Sequence, residues 1–270
     1  MREFANIHIE NAELSVGAQR PEVLSLPGDR VTVIRSFSGE GEVFTLELNE
    51  PMFENEDIKK ELAKEIAKIL KVFFKKHKIT KKDLVLALGV GNEGMTADAL
   101  GAKTLKYLDI TEQYHSAGVG DRSKGRLAGI AGGVSGVTGL ASFDVASGVV
   151  SKVNPKIIIA IDTLASKRAH RLQRVVQVTD TGLVPGSGVD NSKQAFTKES
   201  LGVPVVAIGV PLVIYAKNIL APYSPADLKR AERELNGLVV TVKEIDISVD
   251  DFAKVIAKGI NSAVHGGFSL

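Results

Sequence analysis

The sequence predicts an α/β fold, a mostly parallel sheet flanked by helices, in a single domain over residues 1–270 with a β-rich N-terminal section over 1–50. Three observations predict it. Short apolar runs, Leu84-Val-Leu-Ala-Leu-Gly-Val90, Ile157-Ile-Ile-Ala-Ile161 and residues 203–210, read as strands buried on both faces. Helical periodicity fills the intervals between them, as crossovers between parallel strands require. The glycines, 26 in all, cluster after the strands.

In chain order, residues 1–50 alternate in places, at Val31-Thr-Val-Ile34 and Val43-Phe-Thr-Leu-Glu-Leu48, which predicts two or three antiparallel strands. Residues 57–78 form the clearest helix. Ile58, Leu62, Ile66, Ile69, Leu70 and Phe73 recur at spacings of three and four, with lysines on the opposite face. The lysine run to Lys82 reads as a solvated face rather than a nucleic-acid patch. Strand 84–90 leads into a glycine loop over 89–94, then a helix from Thr96 or Asp98 to about Leu108. Strand 127–134 enters a glycine-rich turn, and helix 142–153 is closed by Asn154-Pro155. Strand 157–161 follows, then a helix over 163–171, strand 175–178, a loop over 180–191 and strand 203–210. A polar helix over 224–236 opens on Ser224 and Pro225. An amphipathic helix over 249–264 places Phe252, Val255, Ile256 and Ile260 on one side.

Composition removes several function classes. Lys and Arg number 34 against 32 Asp and Glu, a net charge of +2, so no strong field draws the chain to nucleic acid. Cysteine is absent, which excludes disulfides, thiolate catalysis and cysteine-bound zinc. Aromatic residues make up 5% and tryptophan is absent, a poor basis for base stacking. The first residues, MREFANIHIENAEL, alternate and carry charge, so no signal peptide is expected. No run reaches the roughly 18 apolar residues of a membrane span.

Gly89-Val-Gly-Asn-Glu-Gly94 matches a dinucleotide-binding pattern, but the acid at the right distance, Asp109, follows only a weak strand. The glycines are read as a tight turn. None of the five histidines stands beside a serine elbow, so a serine triad is not expected. Two acids are the serious candidates. Asp162 ends strand 157–161 and Asp98 follows the loop after strand 84–90, and carboxyl ends of parallel strands are where open α/β sheets bind ligands. Two nearby carboxylates share a proton, so that one can activate water while the other protonates a carbonyl or a leaving amine. The competing reading makes each acid a helix cap. A carboxylate metal site completed by His115 or His170 is a third, without supporting ligand spacing. Residues 179–191 read as an anion nest or substrate rim. The cluster Lys167, Arg168, His170, Arg171 and Arg174 reads equally as a site for acidic side chains or a solvated face.

Five stretches resemble a known family. They are Gly91-Asn-Glu-Gly-Met-Thr-Ala-Asp-Ala-Leu-Gly101, Gly132-Gly-Val-Ser-Gly-Val-Thr-Gly139, Val153-Asn-Pro-Lys-Ile-Ile-Ile-Ala-Ile-Asp-Thr-Leu-Ala165, Asp180-Thr-Gly-Leu-Val-Pro-Gly-Ser-Gly188 and Leu201-Gly-Val-Pro-Val-Val-Ala-Ile-Gly-Val-Pro211. In this order, nearly gapless over 84–216 with a weaker echo over 250–265, they resemble the germination protease of spore-forming bacteria. The resemblance implies an atypical aspartic endopeptidase that degrades small acid-soluble spore proteins during germination. It implies a mixed, mainly parallel sheet between helices, like that of hydrogenase-maturation endopeptidases. The family's two catalytic aspartates match Asp98 and Asp162. Asn92, Thr96 and Thr138 are expected to support them. The backbone of 132–139, including Gly136 and Gly139, is expected to bind the oxyanion. Arg168, Arg171, Gly186, Ser187 and Gly188 are expected at the substrate rim. The resemblance further implies a homotetramer, a cytoplasmic (spore-core) location, a self-cleaved propeptide, and neither cofactor nor metal. This chain departs from the family in its shorter length, in lacking a clear copy of the processing sequence, and at Tyr215, where the family usually has an acid. A metal-dependent maturation-type peptidase and a non-catalytic binding module of the same fold are the alternatives.

Overall fold

The computed structural model describes residues 21–266 apart from 27, 40, 185–193, 221–229, 231, 232 and 236. Its centre is one mixed sheet in the spatial order β1-β2-β3-β7-β8-β6-β4-β5, with β9 pairing β8. The strands are β1 (Glu22–Val23), β2 (Val31–Ser38), β3 (Gly41–Leu48), β4 (Leu84–Val90), β5 (Arg126–Gly133), β6 (Ile157–Ser166), β7 (Val175–Thr179), β8 (Val205–Tyr215) and β9 (Val239–Val240). Strands β8, β6, β4 and β5 run parallel and form the core of the sheet. β7 lies antiparallel to β8 and carries β3, β2 and β1 as an antiparallel flank. The N-terminal strands thus continue the main sheet.

Four helices of seven residues or more cover it among the described residues: α1 (Glu56–Lys76), α2 (Leu100–Lys106), α3 (Ser142–Val153) and α4 (Ile245–His265). Alternation along each strand sorts its side chains to two faces. Ile157, Ile159 and Ile161 of β6 join Ile58, Leu62 and Phe73 of α1 and Phe252 and Ile256 of α4. Ile158 and Ala160 join Leu86, Leu88 and Val90 of β4, Ala146 and Val150 of α3, and Phe196 on the other face. Burying each Val, Leu, Ile or Phe among them contributes about 1.5–3 kcal/mol. α1 starts at Asn55, whose side chain accepts from the Ile58 N–H, and ends on Lys75 and Lys76, which suit the negative end of the helix dipole.

Two expectations are corrected here. No helix spans 163–171. β6 instead continues through Leu164, Ala165 and Ser166, paired with Pro211, Val213 and Ile214 of β8, and only a single 3₁₀ turn, Ala169–Arg171, follows. Leu164, Ala165 and Ser166 are all buried, so pairing with β8 outweighs the helical tendency of the segment. Asp162 accordingly sits within β6 rather than at its end. The expected helix from Thr96 or Asp98 to Leu108 is split into a 3₁₀ turn (Thr96–Asp98) and α2. Most of the expected helix over 224–236 lies outside the described residues.

Candidate active site

The Asp98 turn is held by two close backbone approaches. Gly91 has a φ of 101°, and a Cβ there would come within 2.2 Å of the Asp98 carbonyl oxygen and 3.0 Å of its carboxylate, so only glycine lets the turn fold down onto the end of β4. Gly101, in the first turn of α2, lies so near the sheet that a Cβ would stand 2.5 Å from the Val90 nitrogen and oxygen and 2.6 Å from the Ile161 oxygen. α2 therefore rests directly on β4 and β6, one residue before Asp162.

Asp98 is half-buried, and its Oδ2 accepts the Asn92 N–H at 2.8 Å. Asn92 in turn accepts the Gly94 N–H at 2.9 Å. The carboxylate thus turns back onto the loop before it. α2 has Ala99 at its N-cap with no side-chain cap bond, so Asp98 does not cap the helix. Asp162 is 3% exposed, and its Oδ1 accepts the Thr163 N–H at 2.8 Å. It caps nothing either, because its chain stays in a strand. The register pairs Gly89 of β4 with Ile161, so the next step sets Val90 beside Asp162. On the far side of β4, Val90 pairs with Gly133. The structure thus gathers the Asp98 turn, Asp162 and the end of β5 at one end of three adjacent strands.

The remaining expected residues divide. Thr96 opens the 3₁₀ turn and is exposed. Gly136, Thr138 and Gly139 are exposed on the helical turn Ser135–Thr138 that follows β5. Within 132–139, the amides of Val137, Thr138 and Gly139 donate inside that turn, and the Thr138 hydroxyl accepts the Leu140 N–H at 3.2 Å. Arg168 is exposed beyond the end of β6. Arg171 is buried and paired with Glu47 of β3 at 3.1 Å, which ties the end of the β6 extension to the antiparallel flank. Gly186, Ser187 and Gly188 lie outside the described residues. Among the described residues no three His, Asp or Glu side chains cluster as a metal-binding group. His115 sits on a short helical turn, and His170 is exposed.

Sequence reading missed one feature. A pleat row crosses the sheet through Thr45, Gln177, Gly209 and Asp162. Gln177 is entirely buried and donates from Nε2 to the Thr45 hydroxyl at 3.2 Å. Its signal was one amide inside the otherwise apolar run Val175-Val-Gln-Val178, and it gains meaning only when the register places it in the row of Asp162. Leu164 packs against Gly209 in the middle of this row.

A mixed α/β sheet with one acid inside β6 and a second on the turn that follows the neighbouring parallel strand β4 defines an α/β protein with a candidate acid pair beside the carboxyl end of β4. Comparison with known proteins assigns it more narrowly. The family model described as germination protease matches residues 34–235. The germination protease of Caldanaerobacter subterraneus subsp. tengcongensis is 31% identical, over 99% of this chain and 91% of that protein. Those of Halalkalibacterium halodurans (30% identical, 78% and 74% covered) and Clostridium tetani (31%, 85% and 80%) agree. The chain belongs to the germination protease family, a family of endopeptidases. No helix among its described residues is long and apolar enough to cross a membrane.

Proposed function

We propose that this protein is an aspartate-dependent endopeptidase that degrades small acid-soluble spore proteins in the spore core. The observation that carries the proposal is the seating of the Asp98 turn and α2, through Gly91 and Gly101, on the backbone beside Asp162. One carboxylate, ionised, takes a proton from a water molecule as that water's oxygen bonds to the peptide carbonyl carbon. The other, protonated, gives its proton to the carbonyl oxygen. Collapse of the tetrahedral intermediate returns that proton and breaks the C–N bond, while the departing nitrogen takes the proton first removed from water. Asn92 positions Asp98 through its backbone N–H. The turn after β5 contributes the amides of Ser135 and Gly136 near the developing oxyanion. Assembly as a homotetramer and removal of a propeptide belong to the same proposal.

The test is incubation of the purified chain with a small acid-soluble spore protein, beside the Asp162→Asn and Asp98→Asn variants, read by mass spectrometry. Discrete fragments from the wild type alone support the proposal. Cleavage by both variants at the wild-type rate defeats it, and loss of wild-type cleavage after dialysis against a chelator transfers the chemistry to a metal. Native mass spectrometry of the same sample reads the subunit number and any shortening of the chain.

A further inference from the structure

β5 forms one border of the sheet, and half of its outer side is open. Leu127 marks which residues face outward: its N–H donates to the Thr111 hydroxyl at 3.0 Å, and its carbonyl accepts the Thr111 N–H at 3.0 Å. Backbone groups of alternate residues point to the same side of a strand, so Gly129 and Ala131 direct their N–H and C=O groups outward as well. Both residues are exposed, and among the described residues neither makes a hydrogen bond on that side. Natural edges are ordinarily blunted by lysine, proline or an early bulge. The stretch Leu127-Ala-Gly-Ile-Ala-Gly-Gly133 has no charge and no proline, and its register slips only after Ala131. This smooth edge ends at Gly133, beside Val90 and hence two strand spacings from Asp162.

We propose that the outer edge of β5, at Gly129 and Ala131, binds an extended segment of the protein substrate as an added strand. The proposal rests on the protease reading and names how that site holds its substrate. Main-chain pairing suits an enzyme that must grip a segment irrespective of its side chains. A strand added outside β5 lies three strand spacings from β6, about 14 Å. An extended chain covers that in about four residues. The paired segment therefore lies about four residues from the bond that is cut, and a short peptide centred on that bond does not reach the edge.

Ala131→Pro tests this. Its N–H faces outward, so the change removes no bond to β4, and proline is tolerated at such edge positions. With the whole spore protein, KM is expected to rise about tenfold, the loss of one or two backbone hydrogen bonds, with kcat within about twofold. A six-residue peptide centred on the mapped bond should be cut equally by variant and wild type. A substrate N-methylated four to six residues from the bond should show the same rise with the wild-type enzyme and no further rise with the variant, which decides the matter even where the variant folds poorly. A wild-type KM for both the variant and the methylated substrate overturns the proposal. So does a variant altered only in its oligomeric mass, which gives the edge to a second copy of the chain. A wild type that cuts neither substrate sinks the protease reading itself, and the edge proposal falls with it.

Discussion

The two candidate acids are held in opposite ways. Asp162 lies inside a strand paired on both sides, to β4 and β8, and is buried. Asp98 closes a 3₁₀ turn outside the sheet, is half-buried, and sits where Gly91 and Gly101 let the turn approach the strands, with its carboxylate accepting the Asn92 N–H. One is fixed by the backbone ladder and cannot shift without its neighbours. The other is fixed by two close packing contacts that a single methyl group disturbs.

The comparison can be broken at either end. Asp162→Asn and Asp98→Asn are each expected to lower kcat about 10³-fold with little change in melting temperature, as removal of a general acid or base does. A variant that retains more than a tenth of wild-type kcat removes its residue from the chemistry. Next in size is Gly101→Val, which drives a side chain into the Val90 and Ile161 backbone. It should cost about 3 kcal/mol in denaturant titration and abolish activity as well, because α2 lifts from both strands. Gly91→Ala touches only the Asp98 turn. It should cost about 1–3 kcal/mol yet lose activity out of proportion to stability, and equal losses would show that the turn is not part of the site. Thr96→Ala, an exposed position without a cap bond, should stay within about 0.5 kcal/mol.

A pH series provides a control away from the acids. His265 is buried at the end of α4, where its Nε2 lies 2.9 Å from the Asp109 carbonyl, and burial holds its pKa below the ordinary 6.5. Burial also lowers the pKa of His77. In both cases the unfolded chain binds protons first as the pH falls. Their stabilisation is complete above about pH 6.5 and is lost as the pH drops from there toward the folded pKa. The melting temperature of wild type should therefore fall between pH 7.5 and 5.5 by more than that of His265→Gln.

How much of this was legible differs from residue to residue. Ile157–Ile161 announced itself as a buried strand because five consecutive apolar residues ending on an acid leave few other readings. The sequence missed the strand's continuation. Thr163-Leu-Ala-Ser166 has no strong strand preference of its own, and its partner, residues 210–214, lies more than 40 positions away. Asp98 stood out as an acid after a glycine loop. Its turn back onto Asn92, which rules out the cap, depends on Gly91 accepting a conformation that composition does not reveal. The cluster around Arg171 read equally as a site for acidic side chains or as a solvated face, and only the fold shows Arg171 buried and paired with Glu47 of β3.

The sequence by itself determined the α/β class, the core strands and the order of the family's motifs, and it singled out two candidate acids, because unbroken apolar runs and their boundaries are local properties. Only the tertiary structure decided the rest. The antiparallel β7 that joins the N-terminal strands to the sheet, the row running from Thr45 through Gln177 to Asp162, and the open outer side of β5 all follow from strand register. Register is settled by pairing between segments distant in the chain, where buried hydrogen bonds and shared packing outweigh what either segment prefers alone.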